Sequence, residues 1–102
     1  MKKFEDLVFT DHPWHERAQQ AILWFDNGYG VSVLFGERFE CGFYSNGVDT
    51  YEVAVMYDDQ LTYPMEDDVV GFLKADEVTA YMDKVQRLPV KEYVYPGSDV
   101  QQ

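Results

Sequence analysis

The sequence of 102 residues carries a formal net charge of −11, and 46% of its residues are hydrophobic and 17% aromatic. This aromatic content excludes a wholly disordered chain, and the length predicts one domain, which we expect to span residues 1–95 with a disordered tail at 96–102. The acidic charge excludes electrostatic attraction to nucleic acids and anionic membranes, and it favours basic protein surfaces as partners.

Two apolar runs on either side of Asn27-Gly28 predict a β-hairpin. Asn-Gly favours a two-residue type I′ turn, in which both central residues need a positive φ. A loop of that length would place Trp24 opposite Val31 and Phe25 opposite Gly30. One face of the hairpin would then carry Ile22, Trp24, Tyr29, Val31, Val33 and Phe35, and the other Ala21, Leu23, Phe25, Gly30, Ser32 and Leu34.

A third strand is predicted over residues 51–57, after an irregular excursion at 36–50 that contains three glycines and scattered charges. Apolar side chains alternate along this strand, so that Tyr51, Val53 and Val55 share one face with Tyr57. Asp58-Asp59 predicts a turn into a short strand at residues 60–63, which Pro64 would end.

Two helical segments are predicted in the last third of the chain. Asp67-Asp68 favours the start of a short helix that runs through residues 69–73. A second helix is indicated by an apolar stripe with helical spacing, and Pro89 would end it. The stripe consists of Val78, Tyr81, Met82, Val85 and Leu88.

These elements predict an α+β fold, in which a twisted antiparallel sheet of three to four strands has the C-terminal amphipathic helix packed on one face. We expect the helix to cover Gly30, Ser32 and Ala54, because small residues allow a close approach. The opposite face would be covered by the N-terminal segment, by residues 36–50 or by another molecule, and an uncovered face would be an interaction surface. That predicted surface comprises Trp24, Tyr29, Val31, Val33, Tyr51, Val53, Val55 and Tyr57.

Metal and thiol chemistry are the first alternatives to weigh. His12 and His15 are three residues apart and could ligate a metal from one helical turn, but Pro13 separates them and no further ligand completes a site. Cys41 lies between Glu40 and a glycine, which supply no positive charge to activate a thiol. We therefore expect no metal, no cofactor and no cysteine nucleophile.

Carboxylate pairs are the remaining catalytic candidates. Adjacent side chains in a strand point to opposite faces, so Asp58-Asp59 and Asp67-Asp68 do not converge on a substrate, and neither pair has the spacing of an EF-hand loop. Solvated turns and a helix start explain both pairs. We expect a protein without catalytic residues, which is not an enzyme.

The acidity itself supports a further hypothesis. Residues 58–79 carry seven acidic side chains and one basic side chain. An acidic surface of this kind either keeps the protein soluble or mimics the phosphates of DNA and so inhibits a host enzyme that binds nucleic acid. Its members would be Asp58, Asp59, Glu66, Asp67, Asp68, Asp76 and Glu77.

Three segments carry a resemblance to a known family: residues 27–33, residues 51–55, and residues 67–73 with 77–86. They resemble small uncharacterised proteins of tailed bacteriophages and prophages, over most of residues 4–88. The resemblance implies a cytoplasmic protein of an infected or lysogenic bacterial host, and it brings no established activity or catalytic residues. The single cysteine agrees with a reducing compartment.

A non-enzymatic binding protein, or a modulator of a host protein, is the function that these patterns favour. A DNA mimic and a small metal-binding protein are the alternatives. We expect a protein partner and no direct contact with nucleic acid or membrane. Pairing of two copies, through the apolar face or an exposed edge strand, is compatible with each function.

Overall fold

The structure is a computed structural model that describes residues 1–57, 60–61 and 69–90. Its fold is α+β, as the sequence predicts, and consists of an antiparallel sheet with a C-terminal helix packed against it. In chain order, the elements are a 3-10 helix (Phe4–Asp6), β1 (Thr10–Asp11), β2 (Gln19–Trp24), β3 (Tyr29–Phe35), α1 (Arg38–Cys41), β4 (Tyr51–Tyr57), β5 (Gln60–Leu61), β6 (Val70–Leu73) and α2 (Ala75–Gln86).

The sheet has the strand order β1-β2-β3-β4-β5, and β6 also pairs with β4. Tyr51 and Val53 of β4 pair with β6, and Met56 and Tyr57 pair with β5. The sheet has more than the expected three to four strands because β1 spans only two residues and β6 lies where a helix was predicted. Residues 62–63, the second half of the predicted short strand, lie outside the described residues.

The predicted short helix at residues 69–73 is wrong, because Val70–Leu73 forms strand β6. The pairing of Leu73 with Tyr51 supplies backbone hydrogen-bond partners that a short helix would have to find within itself. Gly71 weakens a helix further, and its missing side chain lets the strand pass directly beside Tyr44. Tertiary contacts therefore override the local helical signal.

The hairpin between β2 and β3 has a three-residue loop at 26–28 in place of the predicted two-residue turn. The Phe25 N–H donates to the Tyr29 carbonyl at 2.8 Å, and the Gly28 N–H donates to the Phe25 carbonyl at 3.1 Å. Only Gly28 in this loop has a positive φ, at +90°, whereas a type I′ turn needs two such residues. Trp24 therefore lies opposite Gly30, not opposite Val31.

This shift of one residue exchanges the two faces of β2. Leu23 lies opposite Val31 and packs on the core, and Trp24 points to the other side of the sheet. The side-chain period of a strand is two residues, so a slip of one moves every side chain of β2 to the opposite face. The structure therefore places Ala21 and Leu23 on the core face of β2.

Helix α2 packs on the valine-rich face, and the prediction that it covers Gly30, Ser32 and Ala54 was wrong. Met82 and the core valines of α2 are fully buried against the sheet. Packing on this face removes far more apolar surface from water than packing on small residues would. The buried core comprises Leu7, Ala21, Phe25, Tyr29, Val31, Val33, Val53, Val55, Val78, Met82 and Val85.

The N-terminal segment completes the cover of this face beside α2. The Phe4 N–H donates to Thr79 Oγ1 at 3.0 Å. Gln86 accepts the Lys2 N–H at Oε1 and donates from Nε2 to the Lys2 carbonyl, both at 2.8 Å. The rings of Phe4 and Tyr51 pack edge to face, with centroids 4.9 Å apart. The N-terminal segment and α2 together therefore cover the valine-rich face of the sheet.

Candidate functional site

The predicted interaction surface lies for the most part in the core, so this prediction was wrong about where these side chains point. Five of its members are at most 7% exposed, and Tyr51 and Tyr57 are half-buried against them. Trp24 alone faces away from α2 and is 40% exposed. The valine side chains are buried because α2 covers their face and not the opposite one, whereas the shifted register of β2 explains the position of Trp24. The five buried members are Tyr29, Val31, Val33, Val53 and Val55.

The predicted acidic surface is described only at its C-terminal end. Asp76 and Glu77 are exposed in the first turn of α2, where negative charge is favourable. Glu77 Oε1 accepts the Lys74 N–H at 3.0 Å, and Asp76 Oδ1 accepts the Glu77 N–H at 3.0 Å. Both carboxylates therefore stabilise the start of this helix. Asp58, Asp59, Glu66, Asp67 and Asp68 lie outside the described residues.

The two histidines lie together in the β1–β2 loop. The ring centroids of His12 and His15 are 5.0 Å apart, and both rings contact Phe43. The Trp14 N–H donates to His12 Nδ1 at 3.1 Å, so this nitrogen already has a partner within the loop. Over residues 1–57, 60–61 and 69–90, no three His, Cys, Asp or Glu side chains come together in a group that could hold a metal ion. Cys41 is half-buried at the end of α1.

The outer edge of β2 is only partly covered. β1 pairs with Gln19 and Gln20, and among the described strands none pairs with residues 21–24 on that side. Among the described helices, none is long and apolar enough to cross a membrane. We call this edge of β2, at residues 21–24, the open edge.

Hydrogen-bond geometry shows which backbone groups the open edge presents. The Phe25 N–H donates inward to β3, and the Ala18 carbonyl accepts outward from the His12 N–H at 2.8 Å. Backbone groups alternate in direction along an antiparallel strand. The N–H and carbonyl groups of Ile22 and Trp24 therefore point outward, away from β3.

The same two residues expose apolar side chains. Ile22 is 48% exposed and Trp24 is 40% exposed, both on the face of the sheet away from α2. Gly30 makes the position of the indole possible, since a Cβ there would lie only 2.6 Å from Trp24 Cε3. The tryptophan ring therefore lies across β3 instead of standing free in solvent.

A cleft of about 390 Å³ borders the end of the open edge. Its N-terminal wall is held to α2 by the reciprocal hydrogen bonds between Lys2 and Gln86. Asp6 and Asp26 line this cleft together with Lys2, so both signs of charge are present, and Asp6 Oδ2 accepts the Lys3 N–H at 2.8 Å. The lining residues are Met1, Lys2, Asp6, Trp24, Phe25, Asp26 and Gln86.

The sequence contains a signal for the open edge that the prediction of the interaction surface did not take into account. No charged residue and no proline occurs between Arg17 and Asp26. Edge strands of soluble proteins are commonly protected from further pairing by lysine, proline or a bulge. An unprotected apolar edge strand with outward backbone groups is able to accept another extended chain. Ile22, Asp6 and Asp26 are the site residues that the sequence did not identify.

No family model matches this chain, and no curated protein and no solved structure matches it. The resemblance to phage and prophage proteins therefore stays a prediction.

Proposed function

We propose that this chain is a non-enzymatic binding protein that engages a partner protein through the open edge of β2. In the setting that the phage resemblance implies, it modulates a protein of the bacterial host in the cytoplasm. The observation that carries the proposal is that Ile22 and Trp24 offer half-exposed apolar side chains and backbone groups that no described strand pairs with, at the same edge.

An exposed strand edge favours a binding function because it carries a risk of unwanted pairing. Exposed strand edges pair with other chains, and proteins that do not use them protect them. Here the tryptophan contributes a large apolar ring and a polar N–H, a combination that is enriched in protein interfaces. The edge therefore offers both the backbone bonds and the apolar anchor that recognition of another chain requires.

Site-specific photo-crosslinking tests the proposal. A benzophenone amino acid at position 22 would be irradiated in a bacterial lysate and compared with the same group at Val48, which is 78% exposed in the β3–β4 connection. We expect position 22 to yield a distinct crosslinked protein that excess unlabelled wild-type chain competes away. Identical products from both positions, or none from position 22, would contradict the proposal.

A further inference from the structure

We propose that the partner contributes an extended, positively charged segment that adds antiparallel to the open edge of β2. The inference rests on the proposed function and specifies the chemistry of the partner. The occupant is a basic peptide strand, not a folded acidic surface and not a second copy of this chain.

The backbone supports strand addition. Ile22 and Trp24 are two residues apart, so their outward N–H and carbonyl groups have the spacing of alternate residues in an antiparallel partner. Every pairing described in the sheet is antiparallel, including that of β1, which occupies the same side of β2 at Gln19 and Gln20.

The net charge of the chain supplies the preference for a basic partner. The formal net charge is −11, which attracts positively charged segments. The adjoining cleft adds no preference for either sign, because Lys2 lines it together with Asp6 and Asp26. At the edge itself, Trp24 is 40% exposed, and an indole is the most favourable ring for a nearby lysine or arginine.

Charge complementarity also decides between a basic segment and a second copy. Two copies would each bring a net charge of −11 to the interface, and their repulsion opposes association. A stable interface usually buries roughly 800 Å² on each partner, whereas the open edge exposes only the apolar side chains of Ile22 and Trp24. A basic strand turns the charge into an attraction and adds backbone hydrogen bonds.

Selection from a randomised nine-residue peptide library, displayed on messenger RNA and panned against the full chain, tests the inference. We expect the recovered peptides to combine strand-forming residues with at least one lysine or arginine. Replacing that cation with glutamine should weaken binding. Binding should also weaken as the salt concentration rises, because salt screens the attraction between exposed charges, whereas a segment held only by apolar contacts and backbone hydrogen bonds would bind equally at low and high salt.

Backbone methylation of a recovered peptide provides a readout that leaves the protein unchanged. Only alternate amides of an added strand face β2. Methylation of one alternate set should therefore abolish binding, and methylation of the other set should leave most of it. Ile22→Pro, which removes an outward N–H, should also abolish binding while the amide spectrum of the remaining sheet is retained.

The outcomes separate the inference from the function on which it rests. Recovered peptides that are neutral or acidic, or that tolerate methylation of both sets, overturn the basic strand even where crosslinking from position 22 succeeds. Concentration-dependent dimerisation in sedimentation, abolished by Ile22→Pro, overturns it in favour of a second copy. Failure to recover any peptide, together with failed crosslinking, overturns both.

Discussion

The side-chain amide nitrogen of Asn27 donates a 2.8 Å hydrogen bond to the backbone carbonyl of Val85 in the last turn of α2. The same nitrogen lies 3.0 Å from the Leu88 carbonyl, and Oδ1 accepts the Tyr29 N–H at 3.1 Å. Asn27 is 8% exposed, so its amide is held between the hairpin loop and the helix. One turn residue thus shapes the loop and binds it to backbone carbonyls at the end of α2, including that of Val85, which also accepts the Leu88 N–H at 3.2 Å.

Replacement of Asn27 should destabilise the fold by an amount that depends on the charge introduced. Asn27→Ala removes the side-chain hydrogen bonds to the Val85 and Leu88 carbonyls and to the Tyr29 N–H from a buried position, and we expect a loss of about 1–3 kcal/mol. Asn27→Asp should lose more, because a carboxylate would face carbonyl oxygens at the negative end of the helix. Urea unfolding at neutral pH measures both changes. An aspartate variant as stable as the alanine variant would contradict this role.

The register of β2 can be tested with one residue from each face. Val31→Ala should cost about 2 kcal/mol or more, because Val31 has 0% exposure. Ile22→Ala should cost less than about 1 kcal/mol, because Ile22 is 48% exposed. The two-residue loop places both side chains on one face and predicts similar losses. Equal losses of unfolding free energy in the two variants would therefore favour the two-residue turn and contradict the observed register of β2.

Gly30 should resist replacement by alanine because of Trp24. The added Cβ would meet Trp24 Cε3 at 2.6 Å and the backbone carbonyl of Leu23 at 2.9 Å, so the indole would have to move. We expect a loss of about 1–3 kcal/mol and a shift in tryptophan fluorescence. Trp14→Phe provides the background for this measurement, since Trp14 is 83% exposed and would obscure the signal. Unchanged emission in the alanine variant would show that Trp24 does not lie across Gly30.

Amide hydrogen exchange should follow the alternation along β2. The N–H groups of Leu23 and Phe25 point to β3 and should be protected. Those of Ile22 and Trp24 point to solvent and should exchange much faster under the same conditions. Addition of a bound strand should slow these two amides selectively. Equal protection of four consecutive amides in the free protein would mean that the edge is already paired.

Tyr51 should make the fold sensitive to alkaline pH. Burial, and to a lesser extent the charge of Asp49, raises the pKa of the Tyr51 hydroxyl above its ordinary value of 10.0. The folded state then holds the proton more tightly than the unfolded state. The resulting stability is fully present below pH 10 and is lost as the pH rises through the raised pKa. Thermal unfolding from pH 8 upward should show a smaller decline for Tyr51→Phe than for the wild type.

Local patterns predicted the elements whose signals are strong and short in range. The apolar stripe with Val85 and the stop at Pro89 predicted α2, which ends at Gln86. Alternation predicted β4 with its observed bounds, Tyr51–Tyr57. Asn27-Gly28 correctly located a chain reversal, because few residue pairs tolerate the backbone conformations of a tight turn. The α+β class follows from these elements alone.

Tertiary structure decided the register of β2, the face that α2 covers and the conformation of β6. The hydrogen bond from Asn27 to α2 joins residues 58 positions apart, so no local pattern contains it. Two turn lengths are both compatible with the residues around Gly28, and the bonds and buried area gained against α2 select between them. A slip of one residue exchanges the faces of β2. For that reason only the packed structure shows that Ile22 and Trp24 lie at an open edge.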